Sequence, residues 1–387
     1  MKVLHVGKHY PPFMGGIETH LRALAEGTAD RADVEVVVAN STSETVVDRV
    51  GPIQVKRLKQ HFSFRRAPIC LGFATAIREA RPDIVHLHLP NPVAVLALLW
   101  SGYSGPLIVT YHSDVVRQRL LARFFEPILR LLLRRSDVIL ATSAEYASSS
   151  PTLRAFASKC RVVPYGIDTA PFAEPAKEAV AAIRKKYGDR IVLAVGRLIY
   201  YKGFGFLIDA MQRVNGHLLV IGDGGLRDAL TAQAAALGIS DRVTFLGELQ
   251  NEETAQYYHA ASMFVLPSIA RSEAFGIVQI EAMAAGRPVI NTSLDSGVPS
   301  VSVNGTTGIT VIPESSADLT DAINFLFENP EHALLLGEAG RRRVADKFTA
   351  SRMCDATLEL YSDIAVSARG KTRRLRPVGP RAFAHTS

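Results

Sequence analysis

The sequence predicts an α/β protein made of two doubly wound, Rossmann-like domains facing a central cleft. Three observations predict it. Short β-branched runs alternate with helix-length stretches along most of the chain. Those runs are apolar at consecutive positions, as parallel strands covered on both faces are. And 387 residues exceed what one hydrophobic core usually serves. With 48% hydrophobic and 21% charged residues, the composition is that of a globular protein and excludes disorder for most of the chain.

In the first half the strands are read at KVLHV (2–6), VEVVVA (34–39), IVHLH (84–88), LIVTY (107–111) and DVILA (137–141). Pro164, Pro171 and Pro175 then interrupt the pattern, and a continuous sheet could not run through them. We therefore expect a hinge near 165–175, with a first domain at 1–168 and a second at 169–350. Strands of the second half are read at IVLAVG (191–196), HLLVIG (217–222), RVTFLG (242–247), MFVLP (263–267) and PVINT (288–292). From Pro330 the pattern is helical to about Ala368, and the basic, aperiodic stretch 368–387 is expected to be disordered.

Cys70, Cys160 and Cys354 are odd in number and far apart, fitting neither a disulfide framework nor a zinc site. The start MKVLHVG lacks the apolar stretch of a signal peptide, and no run approaches the ~20 apolar residues of a membrane span. The expected location is the cytoplasm. A net charge of +7 favours anionic partners: nucleic acid, a phospholipid surface or a phosphorylated small molecule. No exposed aromatics interleave the basic residues on a strand pair, which disfavours nucleic acid.

The segments that can carry chemistry follow predicted strands, where open α/β sheets bind ligands. HYPPFMGGIETHL places Gly15 and Gly16 at a helix start, where backbone N–H groups can meet a phosphate; a plain glycine turn would read the same. AVGRLIYYKGF offers Arg197 and Lys202 as a clamp for a diphosphate. The run RSEAFGIVQIEAMAAG carries Glu273 and Glu281 around Ala274, Phe275, Gly276 and Ile277. If a helix begins at about Gly276, both carboxylates can face a cleft and accept hydrogen bonds from vicinal hydroxyls, while N–H groups at Phe275 to Ile277 hold phosphate oxygens. Glu281 lies in an apolar string, where a carboxylate without a purpose is costly. IGDGGLR has Arg227 where a dinucleotide fingerprint needs its last glycine, which disfavours an oxidoreductase.

On these residues the chain resembles the retaining GT-B glycosyltransferases of family 4, of the mannosyl- and rhamnosyltransferase type that builds bacterial surface polysaccharide. The resemblance covers nearly the whole length, and its signature is the pair Glu273 and Glu281, seven residues intervening. It implies that the glycine loop at Gly16 meets the donor diphosphate, Arg197 and Lys202 neutralise it, Glu273 contacts the sugar and Glu281 the ribose. It places Gly222 and Asp223 beside the nucleotide. The family's sugar-contacting histidine at a strand end matches His112 in YHSD, and a C-terminal helix at about 351–367 is expected to cross back to the first domain. His112, Glu273, Arg197 and Lys202 are the expected catalytic set.

The resemblance further implies a hexosyltransferase that retains anomeric configuration without a protein nucleophile. GDP-mannose is the expected donor, taken as substrate rather than cofactor, with a UDP-hexose the alternative. No Asp-x-Asp occurs, so no bridging metal and no cofactor is expected. The stretch Arg117 to Arg135, with six arginines around bulky apolar residues, can lie on an anionic membrane, or pack its leucines inward and leave its arginines solvated. The membrane reading places the enzyme at the cytoplasmic face of the inner membrane with a lipid-linked or glycan acceptor, as in lipopolysaccharide assembly. The rival classes are a sugar-nucleotide epimerase, which would need no acceptor, and a non-catalytic scaffold.

Overall fold

The structure is a computed structural model describing residues 1–13, 15–64, 67–114 and 119–374. Its strands are β1 (Lys2–Val6), β2 (Asp33–Ala39), β3 (Val46–Val50), β4 (Ile53–Leu58), β5 (Phe62–Phe64), β6 (Ala67–Ile69), β7 (Ile84–Leu89), β8 (Leu107–Tyr111), β9 (Val138–Ala141) and β10 (Cys160–Val162), then β11 (Ile191–Val195), β12 (His217–Ile221), β13 (Val243–Gly247), β14 (Met263–Val265), β15 (Val289–Thr292) and β16 (Gly308–Val311). The first eight-stranded sheet runs β10-β9-β8-β7-β1-β2-β4-β3 and the second runs β13-β12-β11-β14-β15-β16. Every pairing in both is parallel except β3 with β4.

All ten runs picked out above are strands, and the central ones β7 and β8 are buried at every residue. Burial on both faces is what makes their sequences continuously apolar. Helices cover both faces, so each sheet sits inside a sandwich: Leu4, Leu87 and Val109 lie in one core of the first domain, and Leu193, Phe264 and Met283 in one of the second.

The chain passes between the sheets twice, side by side. Ile167 N–H donates to Phe348 O at 2.9 Å, and Ala350 N–H to Ile167 O at 2.8 Å. The second passage leads into the helix Ala350–Arg374, whose Met353, Leu358 and Tyr361 pack with Val3 and Ile108 of the first domain. This helix continues past residue 367 to Arg374, through part of the stretch expected to be disordered; 375–387 lie outside the described residues. No described helix is long and apolar enough to cross a membrane.

The helix Arg119–Arg135 packs some of its leucines inward and leaves other apolar side chains exposed. Leu132 and Leu133 are fully buried, whereas Phe124 is 81% and Leu131 54% exposed. Its arginines divide likewise. Arg123 and Arg134 are exposed, but Arg135 donates to Tyr103 O at 2.6 Å and Arg130 pairs with Glu126 at 2.7 Å. Arg117 lies outside the described residues.

Candidate donor cleft

The predicted segments converge on one cleft between the sheets, enclosing about 340 Å³. Gly15, Gly16 and His112 line it from the first domain; Arg197, Lys202, Gly222, Asp223, Glu273, Ala274, Phe275, Gly276, Ile277 and Glu281 line it from the second. All but Glu281, which lies inside the helix Ile277–Ala284, fall beyond the carboxyl end of a strand or at a helix start, as expected of open parallel sheets. The walls approach closely: a methyl group on Gly16 would stand 3.7 Å from Ile277 Cδ1.

β11 ends at Val195 and is followed by Gly196, whose φ of +147° favours glycine. A side chain there would meet Lys202 Nζ at 3.2 Å, so the glycine gives the lysine its path back over the strand end. Lys202 Nζ lies 2.6 Å from Glu273 Oε2, and the Ser268 hydroxyl donates to the same oxygen at 3.2 Å. Both charged groups are buried. The cation expected for the diphosphate and the carboxylate expected for the sugar are therefore already partners, and removing either would leave a buried charge unpaired. Arg197 remains exposed. Its loop is joined to the next: Leu198 N–H donates to Asp223 O at 2.9 Å, while the Asp223 carboxylate accepts from Gly224 N–H at 2.7 Å.

The helix carrying the second carboxylate spans Ile277–Ala284 and starts from Gly276, at φ +77°. A Cβ on Gly276 would come 2.7 Å from Leu266 Cδ2. Glu281 accepts a hydrogen bond from Tyr258 Oη at 2.8 Å. Burial raises its carboxyl above the usual range, with the Tyr258 bond and Lys202 acting in opposition.

His112 is 2% exposed and uses both ring nitrogens inside the protein. Nε2 meets His88 Nδ1 at 3.0 Å, and Nδ1 meets the Tyr165 hydroxyl. Burial holds its pKa well below that of a free imidazole, so the ring is neutral.

Several residues at this site escaped the sequence reading. Tyr258 orients Glu281. Lys8 and Glu18 face Arg197 from the first domain: burial raises the Glu18 carboxyl while Arg197 and Lys8 draw it down. Arg271 Nη2 pairs with Asp114 Oδ2 across the domains at 3.0 Å. Asp114 lies two residues past His112 and Arg271 two before Glu273, so proximity to the motifs was the one available signal.

The family described as Glycosyltransferase Family 4 matches residues 14–171, and that described as Glycosyl transferases group 1 matches 176–343. The chain is 34% identical to D-rhamnosyltransferase WbpZ of Pseudomonas aeruginosa, covering 90% of this chain and 93% of that protein. It is 32% identical to O-antigen chain mannosyltransferase C of Escherichia coli, over 95% and 100%. It is 30% identical to a GDP-mannose-dependent alpha-(1-6)-phosphatidylinositol monomannoside mannosyltransferase of Mycobacterium tuberculosis, over 89% and 93%. Among solved structures, sucrose-phosphate synthase from Thermosynechococcus elongatus superposes with a TM-score of 0.82 at 23% identity, over 95% of this chain and 99% of that one. That likeness concerns the fold.

Proposed function

The chain belongs to glycosyltransferase family 4, and we propose that this enzyme moves mannose from GDP-mannose, with retained configuration and without a metal, to a lipid-linked or polysaccharide acceptor. The observation that carries the reading is the joining of Arg197, the Lys202–Glu273 pair and Glu281 in one cleft faced by Gly15 and Gly16. Arg197, Lys202 and the start of the helix Ile277–Ala284 would stabilise charge building on the leaving diphosphate, where one well-placed donor contributes ~3–4 kcal/mol. Glu273, released in part from Lys202 as the phosphates arrive, would accept from the sugar hydroxyls. Glu281, aimed by Tyr258, would take the ribose. As the bond from the anomeric carbon to the diphosphate breaks, the acceptor hydroxyl attacks from the same face and its proton leaves with a phosphate oxygen. No protein nucleophile is assigned.

For the sugar, support comes from the relatives named for mannosyl and rhamnosyl transfer; for the base, from the relative named as GDP-mannose-dependent. Calorimetric titration in EDTA with GDP-mannose and UDP-glucose tests both. Binding of GDP-mannose alone supports the reading, whereas binding of UDP-glucose alone replaces the donor with a UDP-hexose. Proton NMR of the product then reads the linkage, and inversion relative to the donor would overturn the retaining mechanism. Donor conversion without any acceptor would favour an epimerase.

The exposed Phe124 and Leu131 beside Arg123 and Arg134 support a peripheral contact with an anionic membrane at its cytoplasmic face. Sedimentation with phosphatidylglycerol-containing vesicles should carry the wild type down and leave Phe124→Ser/Leu131→Ser in solution. Equal recovery of both would reject the contact.

A further inference from the structure

We propose that His20, His88 and His112 form a binding site for one divalent transition-metal ion of the zinc class, beside the donor cleft and separate from the diphosphate positions. His88 Nδ1 and His112 Nε2 stand 3.0 Å apart. Two nitrogens each held ~2.0–2.1 Å from one metal at tetrahedral angles stand about 3.3–3.4 Å apart, so the pair would have to open by only a few tenths of an ångström to share an ion. His20 completes the set. It is 4% exposed, on the helix Gly16–Thr28, and neither of its ring nitrogens has a hydrogen-bond partner. One ring nitrogen from each of the three histidines lies within 4.8 Å of the others.

The surrounding hydrogen bonds fit ligands rather than a closed network. A coordinating imidazole turns its other nitrogen, as N–H, to an acceptor that fixes its orientation. His88 offers Nε2 to His5 Nδ1 at 3.0 Å, and His112 offers Nδ1 to Tyr165 Oη. His5 can then donate from Nε2 to Tyr361 Oη at 3.4 Å. Tyr361 donates to His86 Nδ1 at 2.6 Å, and His86 donates from Nε2 to Thr110 Oγ1 at 2.6 Å. One set of neutral tautomers satisfies the whole chain with both ligand nitrogens unprotonated.

In a second trio, His5, His86 and His88, ring nitrogens also lie within 4.8 Å of one another, but each of its ring nitrogens already has a neighbour. The chosen trio is distinguished by the unpartnered His20. Its all-imidazole ligand set suits zinc, cobalt, nickel or copper and not magnesium or calcium. A bound ion would brace the glycine-loop helix against the ends of β7 and β8.

The test uses the full chain stripped with chelator, titrated with Zn2+ by calorimetry and with Co2+ by visible absorption. Expected are one equivalent of Zn2+, a higher Tm with zinc, and the d–d bands of four-coordinate cobalt. His20→Leu should bind Zn2+ at least about tenfold more weakly, and His20→Cys should keep the ion and add a cobalt–thiolate charge-transfer band. Folding of each variant is checked by circular dichroism in chelator. If His20→Leu does not fold, the cysteine variant decides. No stoichiometric uptake by the wild type, undiminished uptake in His20→Leu, or an unchanged cobalt spectrum in His20→Cys would each overturn the site.

Discussion

At the scale of single residues, the cleft is held by pairs of charges, so neutralising one member reaches beyond the group removed. Lys202→Ala leaves Glu273 buried beside Ser268 without its cation. We expect kcat to fall ~10²–10³-fold, the cost of losing one preorganised donor to developing charge, together with loss of donor binding by calorimetry. Tyr258→Phe removes one hydrogen bond to Glu281, a change of ~1 kcal/mol, and should raise the donor KM several-fold while kcat holds. A matching fall in kcat would show that Tyr258 acts on the transition state instead. Gly15, Gly16, Arg197, Lys202, Glu273 and Glu281 were legible because each lies in a short motif beside a strand end. Tyr258, Arg271 and His88 were not. Their partners stand 23 residues away for Tyr258 and 24 for His88, and in the other domain for Arg271, distances that no local spacing reports.

At the scale of elements, legibility follows burial. The ten expected strands are continuously apolar runs, whereas β3 runs exposed or half-buried along an antiparallel edge and β10 is three residues long at the other edge; β4 buries Ile53, Val55 and Leu58 but interleaves them with Gln54, Lys56 and Arg57, so none of the three leaves a continuous apolar run to read. The helix after Gly276 depends on a left-handed residue, and Gly276→Ala would add both strain at φ +77° and a clash with Leu266. A loss of ~1–3 kcal/mol in stability is expected, read as a lowered Tm, and donor affinity should fall with it. The strands β1 and β7, the end of β8 and the helix Gly16–Thr28 together present an acid-sensitive cluster. His5 and His20 are held near pKa 3 by burial, and His86, His88 and His112 well below the ordinary value. Between pH 6.5 and about 3 the unfolded chain binds protons at these positions that the folded chain does not. Stability contributed by their neutral forms is full above pH 6.5 and falls as pH drops, by up to ~1.4 kcal/mol per pH unit for each histidine. Urea midpoints in chelator at pH 7, 6 and 5 should decline steeply, and His20→Leu should shallow that decline.

At the scale of the whole molecule, the two domains are also joined by contacts outside the cleft residues discussed so far. Two passages of chain join the domains at Ile167 and Ala350, and side-chain contacts join them elsewhere. There Arg271 reaches Asp114 at 3.0 Å and donates to Ser149 O at 3.3 Å, while the Tyr111 and Ser150 hydroxyls both donate to Asp114 Oδ1 at 2.9 Å. The Arg271 and Asp114 side chains are 24% and 15% exposed, so the pair is screened less than a surface one. Asp114 is held from three directions and Arg271 precedes Glu273 by two residues, so the pair ties the first domain to the segment that carries Glu273. Arg271→Ala should therefore lower kcat/KM by about tenfold or more without abolishing donor binding, which in the proposed reading rests mainly on second-domain residues. Asp114→Asn should do nearly the same, and the double variant should be little worse than either single one, since coupled partners are not additive. Fully additive losses would mean that the two residues act separately, and the closure of the cleft would then have to be sought at Gly297, where a Cβ would stand 2.6 Å from Ala274 O and 2.9 Å from Ser143 Oγ of the first domain.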